Sequence, residues 1–190
     1  MGKVVVVGIT GASGIIYGRR IAEEIGRSAE VRLIISKTAR EIGRHEGVDL
    51  EGLRATSYRN EDLGAIISSG SFRHDGMVIA PCSMKTLAGI AHGYAETLVT
   101  RAADVTLKER RRCILLLREM PLSRIHLQNM LRLRRAGADI LPAAPGFYHQ
   151  PRTIDDLVDF IVARVLDRLG IEHQLVRRWT GDGPELMEEP

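Results

Sequence analysis

Short apolar runs alternate with amphipathic segments along this chain. Four such runs are predicted to be strands: Val4–Val7, Val31–Ile35, Gly76–Ala80 and Ile114–Leu117. Val4–Val7 is apolar without a break, which is typical of a strand covered on both faces. Shorter strands are expected near Leu53–Thr56 and at Ile140-Leu141. Apolar residues at helical spacing predict helices over Ile15–Gly26, Thr38–His45, Lys85–His92, Glu96–Lys108, Ser123–Arg135 and Thr153–Leu169. The alternation predicts one α/β domain with a mostly parallel sheet.

Prolines and hydroxyl residues mark several boundaries. Pro81 is expected to stop the third long strand, because proline lacks the N–H group that a central ladder needs. Ser123 is a plausible N-cap. Thr153, followed by Ile-Asp-Asp, is an N-cap with acids in the first helical turn. The segment Pro142–Pro151 is expected to form a stiff loop.

Composition limits the function classes. The chain has 190 residues, of which 44% are hydrophobic and 27% are charged, as in soluble globular proteins. A formal net charge of +3 and 4% aromatic residues give no support for a nucleic-acid partner. No apolar stretch reaches the ~18 residues of a membrane span, and a strand begins too early for a signal peptide, so a cytoplasmic protein is expected. Cys82 and Cys113 fit no metal or disulfide spacing and are expected to be buried, inert thiols.

The turn after the first strand, Gly8-Ile-Thr-Gly-Ala-Ser-Gly14, carries the first functional signal. Glycines allow the backbone to approach an anion, and the helix N-terminus that follows adds partial positive charge. A strand, a glycine turn and a helix in that order predict a site for a phosphorylated ligand.

Ligands of parallel sheets bind at the carboxyl ends of the strands. The segments at those ends are Gly8–Gly14, Ser36, Pro81–Thr86, Arg118-Glu119 and Pro142–His149. They combine hydroxyls, backbone donors, cations and an aromatic pair, which suits a planar phosphorylated ligand. Within them, Ser83-Met-Lys-Thr86 either cradles a second anion or simply caps a helix.

Two nucleotide-binding classes lack their partner motifs. A short-chain dehydrogenase needs a Tyr-x-x-x-Lys pair, but the residues four places after Tyr17, Tyr58, Tyr94 and Tyr148 are Ile, Asp, Leu and Arg. No Gly-x-x-x-x-Gly-Lys-Ser/Thr sequence of a P-loop is present.

Cations are abundant in the second half of the chain. A phosphate leaving group needs such groups, because charge builds on its oxygens as the bond breaks. The candidates are Arg101, Lys108, Arg118 and Arg164, of which Arg118 ends an apolar strand. Glu46 and Glu119 are candidate acids or cation-orienting groups, with a solvated surface position as the alternative for Glu46.

Seven motifs stand out along the chain: Thr10-Gly-Ala-Ser-Gly14, Ser36-Lys37, Ala80-Pro-Cys-Ser-Met-Lys-Thr86, Arg101-Ala-Ala-Asp-Val-x-Leu-Lys-Glu-Arg-Arg111, Arg118-Glu119, Ile125-His-Leu-x-Asn-Met130 and Pro145-Gly-Phe-Tyr-His149. With these motifs the chain resembles the UbiX family of flavin prenyltransferases over about residues 3–170. The family belongs to a flavin-binding superfamily that also contains flavin-dependent cysteine decarboxylases.

The resemblance implies a three-layer α/β/α Rossmann-like (flavodoxin-like) domain over residues 1–170, with a C-terminal tail over residues 171–190. It implies a homododecamer that joins a prenyl group from dimethylallyl monophosphate to N5 of reduced FMN and closes a fourth ring at C6, without a metal. The product, prenylated FMN, is the cofactor of UbiD-type decarboxylases. The loop Val48–Asn60 departs from the family pattern, which leaves the donor's chain length and the use of monophosphate or diphosphate open.

The family pattern also implies roles for particular residues. It places FMN against Gly11, Ala12, Ser13, Ser36, Ser83, Met84, Lys85, Thr86 and Arg118. It places the prenyl phosphate against Tyr148 and Arg164, with Lys108 and Arg101 near the same anion. The expected catalytic residues are Ser13, Glu46, Glu119 and Lys108, and our hypothesis is that Glu46 manages protons during ring closure. Trp179 resembles a tail residue that can close over a site.

Two other functions stay open at this stage. A cysteine decarboxylase would share the flavin fold, but its Pro-x-Met-Asn-x-x-Met-Trp motif is missing from the stretch Glu119-Met-Pro-Leu-Ser-Arg. A protein that only stores or delivers FMN would bind the flavin without consuming dimethylallyl phosphate.

Overall fold

A computed structural model describes residues 2–178 of the chain. Its centre is one six-stranded sheet in the order β3-β2-β1-β4-β5-β6, and every neighbouring pair is parallel. The strands are β1 (Val4–Ile9), β2 (Glu30–Ile35), β3 (Thr56–Arg59), β4 (Gly76–Cys82), β5 (Cys113–Leu117) and β6 (Asp139–Pro142). This is the doubly wound Rossmann order, in which the strand sequence reverses between β1 and β4.

Helices cover both faces of the sheet. They are α1 (Ile15–Ser28), α2 (Lys37–Glu46), α3 (Met84–Ala91), α4 (Leu98–Lys108), α5 (Arg124–Arg135) and α6 (Ile154–Leu169). One core holds α1, α2 and α6, and the other holds α3, α4 and α5. Strand β1 contributes side chains to both cores, since Val5 and Val7 face the first core while Val6 faces the second. The three-layer α/β/α prediction is confirmed.

Two strand predictions need correction. The short strand expected near Leu53–Thr56 lies at Thr56–Arg59 instead. Strand β4 does not stop at Ala80 but continues through Pro81 to Cys82, with a cis Ala80–Pro81 bond and a register shift against β5 between Ile79 and Cys82. Pro81 still contributes an acceptor, because its carbonyl receives the backbone N–H of Thr10 at 3.2 Å.

The predicted N-caps Ser123 and Thr153 are confirmed by their side-chain oxygens, which accept from the backbone N–H groups of His126 and Asp156. Helix α6 ends at Gly170, whose φ of 64° is in the left-handed region that favours glycine. Among residues 2–178, no helix has the length and apolarity needed to cross a membrane. Trp179 lies outside the described residues.

Candidate active site at the carboxyl ends of the strands

A cavity of about 520 Å³ opens at the carboxyl ends of β1 to β5. Its size is within the range of roughly 300–1,000 Å³ that is usual for small-molecule sites. Nine of the predicted site residues line it: Gly11, Ala12, Ser36, Ser83, Met84, Lys85, Thr86, Arg118 and Glu119. A cleft of about 580 Å³ lies at the amino ends of β1–β3, but it contains none of the predicted site residues.

The glycine turn meets Glu46 at the start of α1. The two carboxylate oxygens of Glu46 accept the backbone N–H groups of Gly14 and Ile15, both at 2.9 Å. Gly14 itself is left-handed, with a φ of 96°, and has no side chain that could cap the helix. Glu46, the last residue of α2, therefore supplies the cap and occupies two of the N–H groups expected to face a phosphate.

The loop after β1 packs closely against the start of α2 at Gly11. A Cβ atom built there would lie 2.6 Å from Cγ2 of Thr38, closer than real carbon atoms come. Thr38 also lines the cavity, beside Ser36. The Ser36 side chain accepts the backbone N–H of Ala39 at 3.1 Å and caps α2. The first two loops thus form a narrow wall that requires glycine at position 11.

The start of α3 forms the second predicted anion site. The Oγ of Ser83 accepts the backbone N–H of Thr86 at 3.3 Å and donates to the Thr86 hydroxyl at 3.0 Å. The backbone N–H of Ser83 donates to the Thr10 hydroxyl at 2.8 Å, and that hydroxyl donates to the Pro81 carbonyl. This network joins the ends of β1 and β4, at the point where the strand order reverses.

Arg118 and Ser13 connect the other side of the cavity to the glycine turn. The Nε of Arg118 donates to the Ser13 carbonyl at 3.2 Å, while the side chain of Ser13 is exposed. Glu119 follows as an exposed residue at the rim. Ser13 is therefore adjacent to the cavity but does not belong to its lining.

Arg101 and Lys108 lie away from this cavity. Helix α4 begins at the cavity, where Thr97 caps it, and 11 residues span about 16 Å, so its last residue Lys108 lies at the far end. Lys108 pairs with Glu109. The Nε of Arg101 donates to the Ser68 carbonyl at 3.2 Å, and its guanidinium pairs with Asp104.

Tyr148 and Arg164 come together around Phe160, in a second cluster that also does not line the cavity. The Tyr148 ring meets the Phe160 ring edge-on at 5.7 Å between centroids. The Arg164 guanidinium carbon lies 5.6 Å from the same centroid, and its Nε is buried without a hydrogen-bond partner among the described residues. His149 stacks on Phe160 at 4.9 Å.

Nine cavity residues were not among the predicted site residues, although Thr10 lies in the predicted segment Gly8–Gly14. The additional lining residues are Thr10, Thr38, Asn60, Gly89, Tyr94, Glu96, Thr97, Val99 and Thr100. Asn60 follows β3 directly, and its carbonyl and side chain accept the backbone N–H groups of Leu98 and Val99. Its position at a strand end is the signal that would have identified it, had the strand been placed correctly.

Both cysteines are buried. Burial raises the pKa of the Cys82 thiol far above its usual range and that of Cys113 to about 12. The prediction that both thiols are buried is confirmed, and a buried, protonated thiol is a poor nucleophile.

Comparison with known proteins assigns the family. A family model described as Flavoprotein matches residues 1–166. The flavin prenyltransferase UbiX of Methanothermobacter thermautotrophicus is 53% identical over 184 residues, which cover 94% of this chain and 96% of that protein. The crystal structure of AnUbiX (PadA1) in complex with FMN and dimethylallyl pyrophosphate matches with a TM-score of 0.92 and 43% identity, over 95% of this chain and 99% of that one. A dodecameric FMN-dependent UbiX-like decarboxylase from Escherichia coli O157:H7 matches with a TM-score of 0.90 and 48% identity, over 94% of this chain and 100% of that one.

Proposed function

This chain belongs to the UbiX flavin prenyltransferases, and we infer that it transfers a dimethylallyl group from dimethylallyl monophosphate to N5 of reduced FMN and closes a fourth ring at C6. The observation that carries this inference is the cavity at the β1/β4 switch point, which is lined by Gly11 and Ala12 of the glycine turn and by Ser83–Thr86 at the start of α3. The 53% identity to a prenyltransferase over 94% of the chain favours this activity over that of a cysteine decarboxylase.

We propose that the cavity holds FMN. The narrow wall at Gly11 and Thr38 leaves backbone close to the ligand, and the Ser83 and Thr86 hydroxyls with the N-terminus of α3 suit a phosphate. Lys85 and Arg118 add positive charge to the lining. When bound, reduced FMN supplies the nucleophilic N5 and C6 positions, and the residues of this chain bind and orient it.

The donor phosphate calls for concentrated positive charge. We propose that Tyr148 and Arg164 bind it and that Arg101 and Lys108 lie near the same anion. Positive charge stabilises the departing phosphate most when its oxygens carry the most charge, so these groups lower the barrier rather than only tighten binding. Glu46, fixed by two backbone N–H groups beside Ser13, is our candidate for moving protons during ring closure.

In a single chain these cations and the cavity lie apart, so we propose that a homododecamer brings them together. The dodecameric relative supports this assembly. Five large apolar side chains also stand exposed on α5 and the loop before it: Met120, Leu122, Ile125, Leu127 and Leu131. Phe147 is exposed as well. Exposed apolar groups in such number are typical of interaction surfaces.

We propose that the product passes to a UbiD-type decarboxylase and that the enzyme works in the cytoplasm. Its two thiols are free, which suits a reducing compartment.

The test is anaerobic incubation of the protein with reduced FMN and dimethylallyl monophosphate, with the diphosphate in parallel, followed by mass measurement of the bound flavin. A gain of one C5H8 unit is expected with the monophosphate. Bound FMN without any gain would overturn the transferase and favour a storage or delivery protein.

Matched variants test the donor site. Arg164→Ala is expected to lose donor binding and product formation. Arg168→Ala, one turn further along α6 and paired with Asp139, is expected to retain both. Normal donor binding by Arg164→Ala or by Tyr148→Phe would remove those residues from the phosphate site.

A further inference from the structure

One carboxylate on α6 is shared between a donor-site cation and the start of the tail. The Oδ1 of Asp167 accepts Nη2 of Arg178 at 2.7 Å and Nε2 of His173 at 3.1 Å. Its Oδ2 lies 3.6 Å from Nη2 of Arg164, one helical turn away. Asp167 therefore connects the proposed phosphate-binding arginine with a tail arginine.

The tail contacts are well anchored. The His173 side chain is 2% exposed, and the backbone N–H of Leu175 donates to its Nδ1, so Nε2 carries the hydrogen shared with Asp167. Leu175 and Val176 pack against the core formed by α1, α2 and α6. These contacts hold the chain against α6 as far as Arg178.

A carboxylate beside Arg164 opposes phosphate binding in two ways. It competes for the guanidinium, and its negative charge repels the incoming anion at short range. Burial alone would raise the pKa of Asp167, but hydrogen bonds from Arg178 and His173 lower it, so the carboxyl is ionised near neutral pH. The donor site therefore needs a counter-charge for Asp167.

We propose that Arg178 is a positioning residue that neutralises Asp167 and so leaves the charge of Arg164 free for the donor phosphate. This inference rests on the proposed function of Arg164. When a phosphate draws Arg164 away from Asp167, Arg178 becomes the main cationic partner of Asp167. Binding of the prenyl donor and binding of Arg178 to Asp167 therefore favour each other.

A double-variant cycle tests this role. Arg178→Gln is expected to raise KM for dimethylallyl monophosphate about fivefold with little change in kcat, since an exposed ion pair has a modest effect. Arg177→Gln removes the same charge from an exposed neighbour with no ion pair among residues 2–178, and should leave KM unchanged. Asp167→Asn combined with Arg178→Gln should restore KM to within about twofold of the wild type.

Rescue by the second substitution separates charge neutralisation from a structural role. If Arg178 only anchored the tail, loss of both partners would leave KM as high as in Arg178→Gln, and that result would overturn the proposal. An unchanged KM in Arg178→Gln would overturn it as well.

A second readout does not depend on prenyl transfer. Binding of inorganic phosphate to the FMN-loaded protein, measured by calorimetry, should weaken in Arg178→Gln and recover in the double variant. If phosphate binding weakens in Arg178→Gln and recovers in the double variant, but the wild type forms no prenylated flavin, the proposed function is refuted and the role of Arg178 stands. If the wild type forms prenylated flavin but phosphate binding is unchanged in Arg178→Gln, the role of Arg178 is refuted and the proposed function stands.

Discussion

Glu46 caps a helix to which it does not belong: its carboxylate accepts the backbone N–H of Gly14 at 2.9 Å, across a separation of 32 residues. The end of α2 and the start of α1 are thereby fixed to each other beside the cavity. The cap satisfies two N–H groups at the start of α1 that have no acceptor within the helix.

Glu46→Gln should distinguish the role of Glu46 as a helix cap from its proposed role in proton transfer. The amide oxygen can still accept one backbone hydrogen bond, so we expect a loss of about 1 kcal/mol in unfolding free energy from urea titration. If Glu46 moves protons, the ring-closed product should form slowly while the N5 adduct accumulates. Unchanged rates at both steps would exclude this role. Glu51→Gln, at an exposed pair with Arg40, is the control and should change neither.

Two serine caps give a matched test of FMN binding. Ser83 and Ser123 each accept the backbone N–H of the residue three positions later, at 3.3 Å and 3.2 Å. Either serine to alanine should cost about 1 kcal/mol of stability. Only Ser83→Ala should also weaken FMN binding, because Ser83 lines the cavity and Ser123 does not. Equal FMN dissociation constants in the two variants would remove Ser83 from the site.

Gly11→Ala should damage the site by crowding. The new methyl would meet Thr38 at 2.6 Å, so the two loops must separate, and we expect FMN affinity to fall by about tenfold or more. Gly89→Ala also faces the cavity, but its nearest neighbour would lie at 3.4 Å. It should bind FMN normally. Fluorescence titration of FMN compares the two variants, and tight binding by Gly11→Ala would show that the loops separate freely.

His74 should make stability depend on pH. It is 9% exposed, its Nδ1 donates to the Gly76 carbonyl at 3.1 Å, and burial lowers its pKa. Below about pH 6.5 the unfolded chain binds a proton that the folded ring resists, so unfolding free energy falls as the pH falls toward the lower folded-state pKa.

The urea midpoint of His74→Asn, compared with wild type between pH 7.5 and 5, should depend less on pH. His92→Asn, at an exposed histidine, should keep the wild-type slope. Equal slopes in the wild type and His74→Asn would contradict the prediction.

The sequence predicted the parts of the site that depend on local chemistry. The glycine turn and the Ser83 cap both carry short motifs with a backbone requirement, and both lie at the cavity. Asn60 was missed because the boundaries of β3 were predicted incorrectly. Because the strand was predicted to end at Thr56, the residue after Arg59 was not recognised as a strand end. The boundary was hard to place because this edge strand has little apolar alternation.

Tertiary contacts explain the remaining differences. Strand β4 continues through Pro81 because the Pro81 carbonyl is held by Thr10, and no local propensity encodes that partner. Without the family resemblance, a solvated surface position was the favoured interpretation of Glu46, because its partners at Gly14 and Ile15 are distant in sequence. Lys108 is separated from the cavity because of the direction of α4, and Arg101 is outside the lining because its side chain bonds to Ser68 and Asp104. Residue types alone give neither arrangement.

The burial of both thiols makes this protein convenient for site-specific labelling. Cys82 and Cys113 have no exposed sulfur to react with maleimides, so a single introduced cysteine would carry the whole signal. Arg177→Cys would place a dye on the segment that meets Asp167, without removal of any native cysteine. The anisotropy of that dye would then report the motion of the segment as the prenyl donor is added to the intact enzyme.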